Sequence, residues 1–343
     1  MSKIKKTEQR SLFEYEERLQ QLSKKTNHLQ RLNAIIPWEA FRPKLNEIFR
    51  KEPKGPGGAP HYDYLMMFKI LILQKLYSLS DEQTEYQIYD RLSFQKFLGL
   101  TLSDDVPDEK TIWHFRECLV QAKAFDELFA LFTAYLQQHG LIQQKGIIVD
   151  ATFVEVPRQR NSRKENETIQ SGKVPEEWED NPHKLCQKDT DARWTKKRNI
   201  SYFGYKDHIK IDTHSKFILS YHTTNAAVHD SQALEHLITE QDAGKKAYGD
   251  SAYPSKHPLL LKYDIKGYFH KKGCRYKKLT TREKRNNREK SKVRCRVEHV
   301  FGCITMVMQG FSLKARGYAR AHAHIALTNL VYNMCRMWQY AKV

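Results

Sequence analysis

The chain has 343 residues, room for two domains, and 40% hydrophobic content with 11% aromatics, which supports a packed core and excludes wholesale disorder. With 58 Lys and Arg against 40 Asp and Glu, the formal net charge is +18, so a polyanionic partner is expected, either nucleic acid or an anionic surface. The most apolar run, 64–77, is too short to span a bilayer and carries Lys69, Gln74 and Lys75. The basic start MSKIKKTEQR has no apolar stretch behind it, so no signal peptide is read and a cytoplasmic location is expected. None of the six cysteines has zinc-knuckle or redox spacing, so buried, reduced thiols are expected.

In chain order, Leu12, Tyr15, Leu19, Leu22 and Leu29 form an amphipathic stripe. It suits a helix packed on its own domain, or one that pairs two chains. KEPKGPGGAPHY then breaks the pattern as a loop; it lacks the Gly-Lys-Ser/Thr ending of a phosphate-binding loop. Helical periodicity resumes from Tyr62 to about Tyr135. Ser80 and Gln83 form a capping box there, and Asp108 caps a helix carrying Trp113, His114 and Arg116. This succession suits a helix-turn-helix that reads DNA, or equally a helical domain with no groove contact.

From Gly146 the period changes to that of strands. GIIVDATFVEV, YFGYKDHIKIDT and KFILSYHTT read as strands, HDSQALEHLITEQ as a helix, and KKAYGD as a short strand. PSKHPLLLKYD reads as a helix, KGYFHKK as a strand, and the tail from about Thr281 to Tyr340 as largely helical. A mixed sheet with helices on both faces follows. A polar insert, residues 158–200, holds Trp178 and Trp194 between the first two strands.

Three acids stand in distinctive settings. Asp150 closes the apolar run of GIIVDATF, Asp250 follows Gly249 in KKAYGD, and Glu298 lies in the basic stretch SKVRCRVEHVFG. Aspartates at the ends of buried strands are suited to gather divalent cations, and Gly249 would let the backbone approach a neighbour closely. Arg294 lies one helical turn before Glu298, so the two share a face.

The blocks GIIVDATFVEVPRQRNSR, DTDARWTKK, YFGYKDHIKID, NAAVHDSQALEHL, YGDSAYPS and RVEHVFG, with the tail KARGYARAHAHIALTNLVYN, resemble in order those of a bacterial insertion-sequence transposase. The group is the DDE type of the insertion-sequence-five family, and the likeness covers essentially the whole chain. It implies a ribonuclease-H-like α/β catalytic domain over 141–343, similar to retroviral integrase, preceded by an all-α DNA-binding or dimerisation region over 1–140. It also implies a catalytic triad of Asp150, Asp250 and Glu298 that binds two Mg2+ or Mn2+ ions, whose hard character suits carboxylate oxygen. The implied activity is cleavage of element terminal inverted repeats and joining of the 3′-hydroxyls to target DNA. A homodimer is implied in the synaptic complex, and a location on the bacterial nucleoid.

The extended signature of related families has a Tyr and a basic residue where this chain has Ser291 and Thr305, while Arg294 and Glu298 match it. Candidate DNA contacts are Arg294, then Arg193, Trp194, Lys196, Lys197 and Arg198 in the insert, and Lys277, Lys278 and Arg285 in the basic run before Glu298. Arg294 is read as a phosphate ligand or an intrahelical partner of Glu298. Trp194 is read as a stacking surface for a base or an anchor for the insert. His229 and Asp230 match a block of the family, or simply cap the helix that follows.

Overall fold

The computed structural model describes residues 13–25, 27–50, 61–197, 199–253, 258–274, 276 and 278–340. The N-terminal stripe does not form one helix. α1 (Glu14–Lys24) buries no residue, and a new helix, α2 (His28–Ile35), starts where the Asn27 side chain accepts the Leu29 N–H at 3.1 Å. Leu29 therefore belongs to a different element, buried with Leu32, while Leu12 and residues 51–60 lie outside the described residues. α3 (Arg42–Phe49) leads to α4 (Tyr64–Tyr77), which buries ten of its residues and so forms the centre of the helical region.

α5 (Asp81–Asp90) begins at the expected capping box: Ser80 Oγ accepts the Gln83 N–H at 3.1 Å, and Gln83 Oε1 accepts the Ser80 N–H at 3.2 Å. α6 (Leu92–Leu98), α7 (Glu109–Gln121) and α8 (Ala124–Gln138) complete this region. Asp108 caps α7 by accepting the Thr111 N–H at 2.7 Å.

The sheet has six strands. β1 (Gly146–Glu155) pairs antiparallel with the long β3 (Ile200–Asp212), whose other edge takes β4 (Ile218–Asn225), also antiparallel. β5 (Lys246–Gly249) runs parallel to β1, and β6 (Lys266–Phe269) runs parallel to β5. An antiparallel trio extended by two parallel strands, after a helical region, is the ribonuclease-H-like arrangement expected.

Two cores sandwich the sheet. Ile148, Ile209 and Ile211 face the main core, which also holds α4, α8, α14 (Thr281–Met308) and α15 (Tyr318–Tyr340). Ile147, Val149 and Ala247 point the other way, onto Leu234, Leu237 and Leu260.

Two further expectations need correction. HDSQALEHLITEQ is not one helix: a 3-10 turn at Asp230–Ala233 precedes the one-turn α12 (Leu234–Leu237), and another 3-10 turn follows at Glu240–Asp242. His229 starts the first turn, its ring nitrogen accepting the Ser231 N–H at 3.3 Å. After β5, the expected helix is present as α13 (Pro258–Lys262) and ends in a turn at 263–264, while residues 254–257 lie outside the described residues. The cysteines are free thiols, but Cys186 and Cys274 are exposed and the other four only half-buried.

The insert is an ordered unit of α9 (Arg163–Gln170), α10 (Glu176–Glu179), α11 (Pro182–Leu185) and β2 (Arg193–Lys197), a strand that sequence periodicity did not reveal. β2 and β3 make a tight hairpin, with Arg193 opposite Gly204 and Lys197 opposite Ile200. Trp178 is fully buried and donates to Glu165 Oε1 at 2.6 Å, so it anchors the insert to itself. Asp189 ties the insert to the body by accepting from Tyr205 Oη at 2.8 Å and from the Gly317 N–H at 3.0 Å. No described helix is long and apolar enough to cross a membrane.

Candidate active site

The register of the sheet places the two aspartates. Ile148 on β1 is level with Tyr248 on β5, so Asp150 and Asp250, each two residues on, occupy equivalent positions at the neighbouring ends of that pairing. Their settings differ. Asp250 directly follows its strand, as expected, but Asp150 sits inside β1, which continues to Glu155 against β3. The pairing with β5 ends at Ile148, which leaves that edge of β1 without a strand partner around Asp150, until Glu155 bonds to the backbone of Phe311 and Leu313 at 2.9 Å each. Gly249 is needed where β5 ends: a Cβ would lie 2.9 Å from the Phe269 ring and 3.0 Å from the Tyr253 ring.

The third acid comes from α14, which crosses both β1 and β5. Arg294 and Glu298 share a face of this helix, with Arg294 Nη1 3.8 Å from Glu298 Oε1. The same guanidinium donates from Nη2 to Asp150 Oδ2 at 2.8 Å, so it bridges an acid of the sheet and an acid of the helix. Asp150 Oδ1 accepts the Ala151 N–H at 3.0 Å, and Asp250 accepts the Ala252 N–H at 2.7 Å, folding the loop after β5 back on its carboxylate.

Burial pushes the Asp150 carboxyl up and Asp250 adds to the rise, while Arg294 and the Ala151 N–H oppose it. Burial works against the charge of Arg294 too, yet Asp150, Asp250 and Glu298 hold it above its ordinary value. Its Nε is buried without a hydrogen-bond partner among the described residues. Glu298 is far more open, its side chain 63% exposed against 11% for Asp150.

The donor set is oxygen only, which suits hard divalent cations, and the acids already gather a positive group in Arg294. Among the described residues, however, no three ligand-type side chains stand close enough to clasp one ion. The guanidinium fills the gap between Asp150 and Glu298.

Neighbours that sequence reasoning passed over complete the centre. Lys206 of β3 donates to Asp230 Oδ1 at 2.8 Å and to the Val228 carbonyl at 2.6 Å. Tyr253 is 2% exposed and its hydroxyl has no hydrogen-bond partner among the described residues. Burial first, then the charges of Asp150, Asp230 and Asp250, raise that hydroxyl well above the usual tyrosine range. Lys206 and Tyr253 carry no sequence signal beyond the blocks YFGYKDHIKID and YGDSAYPS, whereas Asp230 matches a family block together with His229.

The expected DNA contacts are dispersed. Arg294 is within the centre, and exposed Arg285 lies on the same helix, more than two turns earlier. Lys278 is exposed just before it, while Arg198 and Lys277 lie outside the described residues. Arg193 is engaged by the insert's own backbone, donating to the carbonyls of Thr190, Ala192 and Ile169 at 2.6, 3.0 and 2.8 Å. Trp194 is 43% exposed; its ring packs 4.9 Å from that of Phe203 and under the Arg158 guanidinium. Lys196 and Lys197 are exposed, and Lys197 Nζ stands 5.5 Å from the Phe153 ring. β2 begins opposite Gly204, whereas Asp150 is opposite Ile209, so five residues of β3, roughly 17 Å, separate them along the strand. At the two signature positions, Ser291 Oγ lies 3.2 Å from His270 Nε2, and Thr305 Oγ1 donates to the Phe301 carbonyl at 2.8 Å.

Comparison with known proteins gives the family. Residues 142–334 match the family described as Transposase DDE domain, and residues 17–118 match Transposase domain (DUF772). Among solved structures, the chain is similar to the piggyBac transposase in a synaptic complex with hairpin DNA. Identity is 11% and the TM-score 0.46, over 91% of this chain and 74% of that one. Divalent metal ions are general to the DDE family, and DNA transposition is its reaction. With more than half its length in the DDE domain and the helical region matched as well, the chain belongs to the DDE transposases, of the insertion-sequence-five type.

Proposed function

We propose that this protein binds the terminal inverted repeats of its element, cleaves them at the element boundary, and joins the freed 3′-hydroxyls to target DNA. The observation that carries this reading is the level placement of Asp150 and Asp250 on parallel strands beneath a helix that supplies Glu298. Asp150, Asp250 and Glu298 are the catalytic acids and would hold two Mg2+ or Mn2+ ions. When bound, such ions supply activation of the attacking oxygen and stabilisation of the leaving one.

The protein's own groups prepare the centre. The Ala151 and Ala252 amides fix one oxygen of each aspartate, and the second oxygen of Asp150 is held by Arg294. Arg294 neutralises Asp150 in the metal-free protein and keeps the acids from repelling one another. A metal held by Asp150 would compete with the guanidinium for that carboxylate, and Arg294 beside it would offer a phosphate a bidentate cation. The region 1–140 recognises and pairs the DNA ends, and 141–343 performs the chemistry; synapsis of two ends calls for a homodimer.

A labelled terminal repeat incubated with purified protein and magnesium tests this reading. Wild type cleaves at the boundary, while Asp150→Asn, Asp250→Asn and Glu298→Gln bind the repeat and cleave at least about 10²-fold more slowly. Cleavage at the wild-type rate by all three variants would overturn the assignment. Products joined to a target duplex separate a transposase from a nuclease that only cuts.

A further inference from the structure

The helical region, the link 309–317 and α15 line a cleft of about 660 Å3 that shares no lining residue with the acidic centre. Its walls come from the end of α4, the start of α5, α7, the link 309–317 and α15. Lys75, Arg116, Lys314, Arg316 and Arg320 face it, against two carboxylates, Asp81 and Glu117. Both acids are already engaged. Arg116 forks onto Asp81 with two bonds of 2.7 Å, and Arg320 forks onto Glu117 with bonds of 2.9 Å.

Among the described residues, Lys75, Lys314 and Arg316 therefore have no carboxylate partner. Lys314 and Arg316 are exposed, while Lys75 is buried deep in the wall, its ammonium bonded to His324 Nε2 at 2.9 Å. An ammonium buried beside a neutral imidazole is costly, and an anion in the cleft would offset that cost. Burial alone draws Lys75 down to about 7, as expected for a cation lacking a counter-charge.

The surplus positive charge is open to solvent at the mouth rather than closed around a small cavity. A chain of phosphates running across the opening fits it better than an enclosed metabolite. The acidic centre itself repels a phosphodiester backbone, so the attraction that holds DNA has to come from cations elsewhere. We propose that this cleft is a second DNA-contact site, in which Lys314 and Arg316 at the mouth take phosphates of the DNA backbone and buried Lys75 adds positive charge behind them. The inference rests on the reading of the protein as a DNA transposase.

The test is equilibrium binding of the full chain to a labelled duplex carrying the terminal repeat, between 50 and 200 mM salt. The double variant Lys314→Ala with Arg316→Ala should bind at least about tenfold more weakly at the low end. Its plot of log affinity against log salt should be shallower by about two, one for each phosphate that is no longer neutralised. The charge-keeping pair Lys314→Arg with Arg316→Lys should retain the wild-type slope. An alanine variant with wild-type affinity and slope overturns the proposal. So does a variant that loses only binding of free ATP as a probe, since the occupant would then be a nucleotide and not DNA. If the wild-type chain fails to bind or cut DNA at all, the reading as a transposase falls with it. If wild type does both and the variants match it, the cleft alone is wrong.

Discussion

α14 and α15 are consecutive helices of similar length with opposite duties. α14 buries four side chains, Val297, Val300, Ile304 and Met308, along 28 residues, while α15 buries thirteen along 23. α14 thus buries apolar side chains only along one narrow stripe of its C-terminal half, and the rest of its surface makes polar contacts, such as Lys290 to the Phe269 carbonyl, or presents Arg285, Arg294 and Glu298. α15 is enclosed by α2, α4, α7, α8 and β4, so it joins the helical region to the sheet in one core. The difference teaches where chemistry and stability reside: a site needs a helix with an uncommitted face, and a core needs one with none.

That comparison is most easily broken on α15. Leu330 is completely buried in the main core, so Leu330→Ala should cost about 2–5 kcal/mol, from the transfer energy of the removed atoms and the cavity left behind. Denaturant unfolding measures this. A loss below about 1 kcal/mol would mean that α15 is not the common core of both regions.

A smaller effect, and one that depends on pH, is expected at Asp207 on β3, which faces α15. Its carboxyl is fully buried, with Asn329 Nδ2 at 3.3 Å, and burial pushes it up to about 7. Between about pH 4 and 7 the folded protein keeps a proton that the unfolded chain has released, so stability falls as pH rises through this window. Asp207→Asn removes the penalty. Its advantage over wild type should be absent near pH 4 and grow to at most about 4 kcal/mol above pH 7. A difference between variant and wild type that stays constant from pH 4 to 8 would show that Asp207 is not the titrating group.

Much of this was legible in the chain. β1, β3, β4, β5 and β6, and the caps at Ser80 and Asp108, rest on local patterns that tertiary packing left intact. What was hidden depends on pairing. β2 has the alternating polar sequence of a surface loop and becomes a strand only because β3 extends past β1 to receive it. Asp150 looked like a strand end because the apolar run stops there, yet hydrogen bonds to β3 carry β1 five residues further. The spacing of Arg294 and Glu298 gave their shared face, but the bond from Arg294 to Asp150 joins residues 144 apart, beyond any periodicity. The polar insert likewise gave no hint that Asp189, more than Trp194, fastens it to the body.

The smallest effect sharpens the comparison from the other side. Met306 is 85% exposed and Val307 54% exposed near the end of α14, facing away from the stripe of Val300, Ile304 and Met308. If the outer face of α14 is uncommitted in the free protein, Met306→Ala removes little packed apolar surface and should change unfolding free energy by no more than about 0.5 kcal/mol. The same substitution at buried Met308 removes a side chain that is 1% exposed and should cost about 2–5 kcal/mol. Two residues apart on one helix, the pair measures how sharply the stripe ends. A cost above about 1 kcal/mol at Met306, growing with protein concentration, would show instead that a second copy covers this face before DNA arrives.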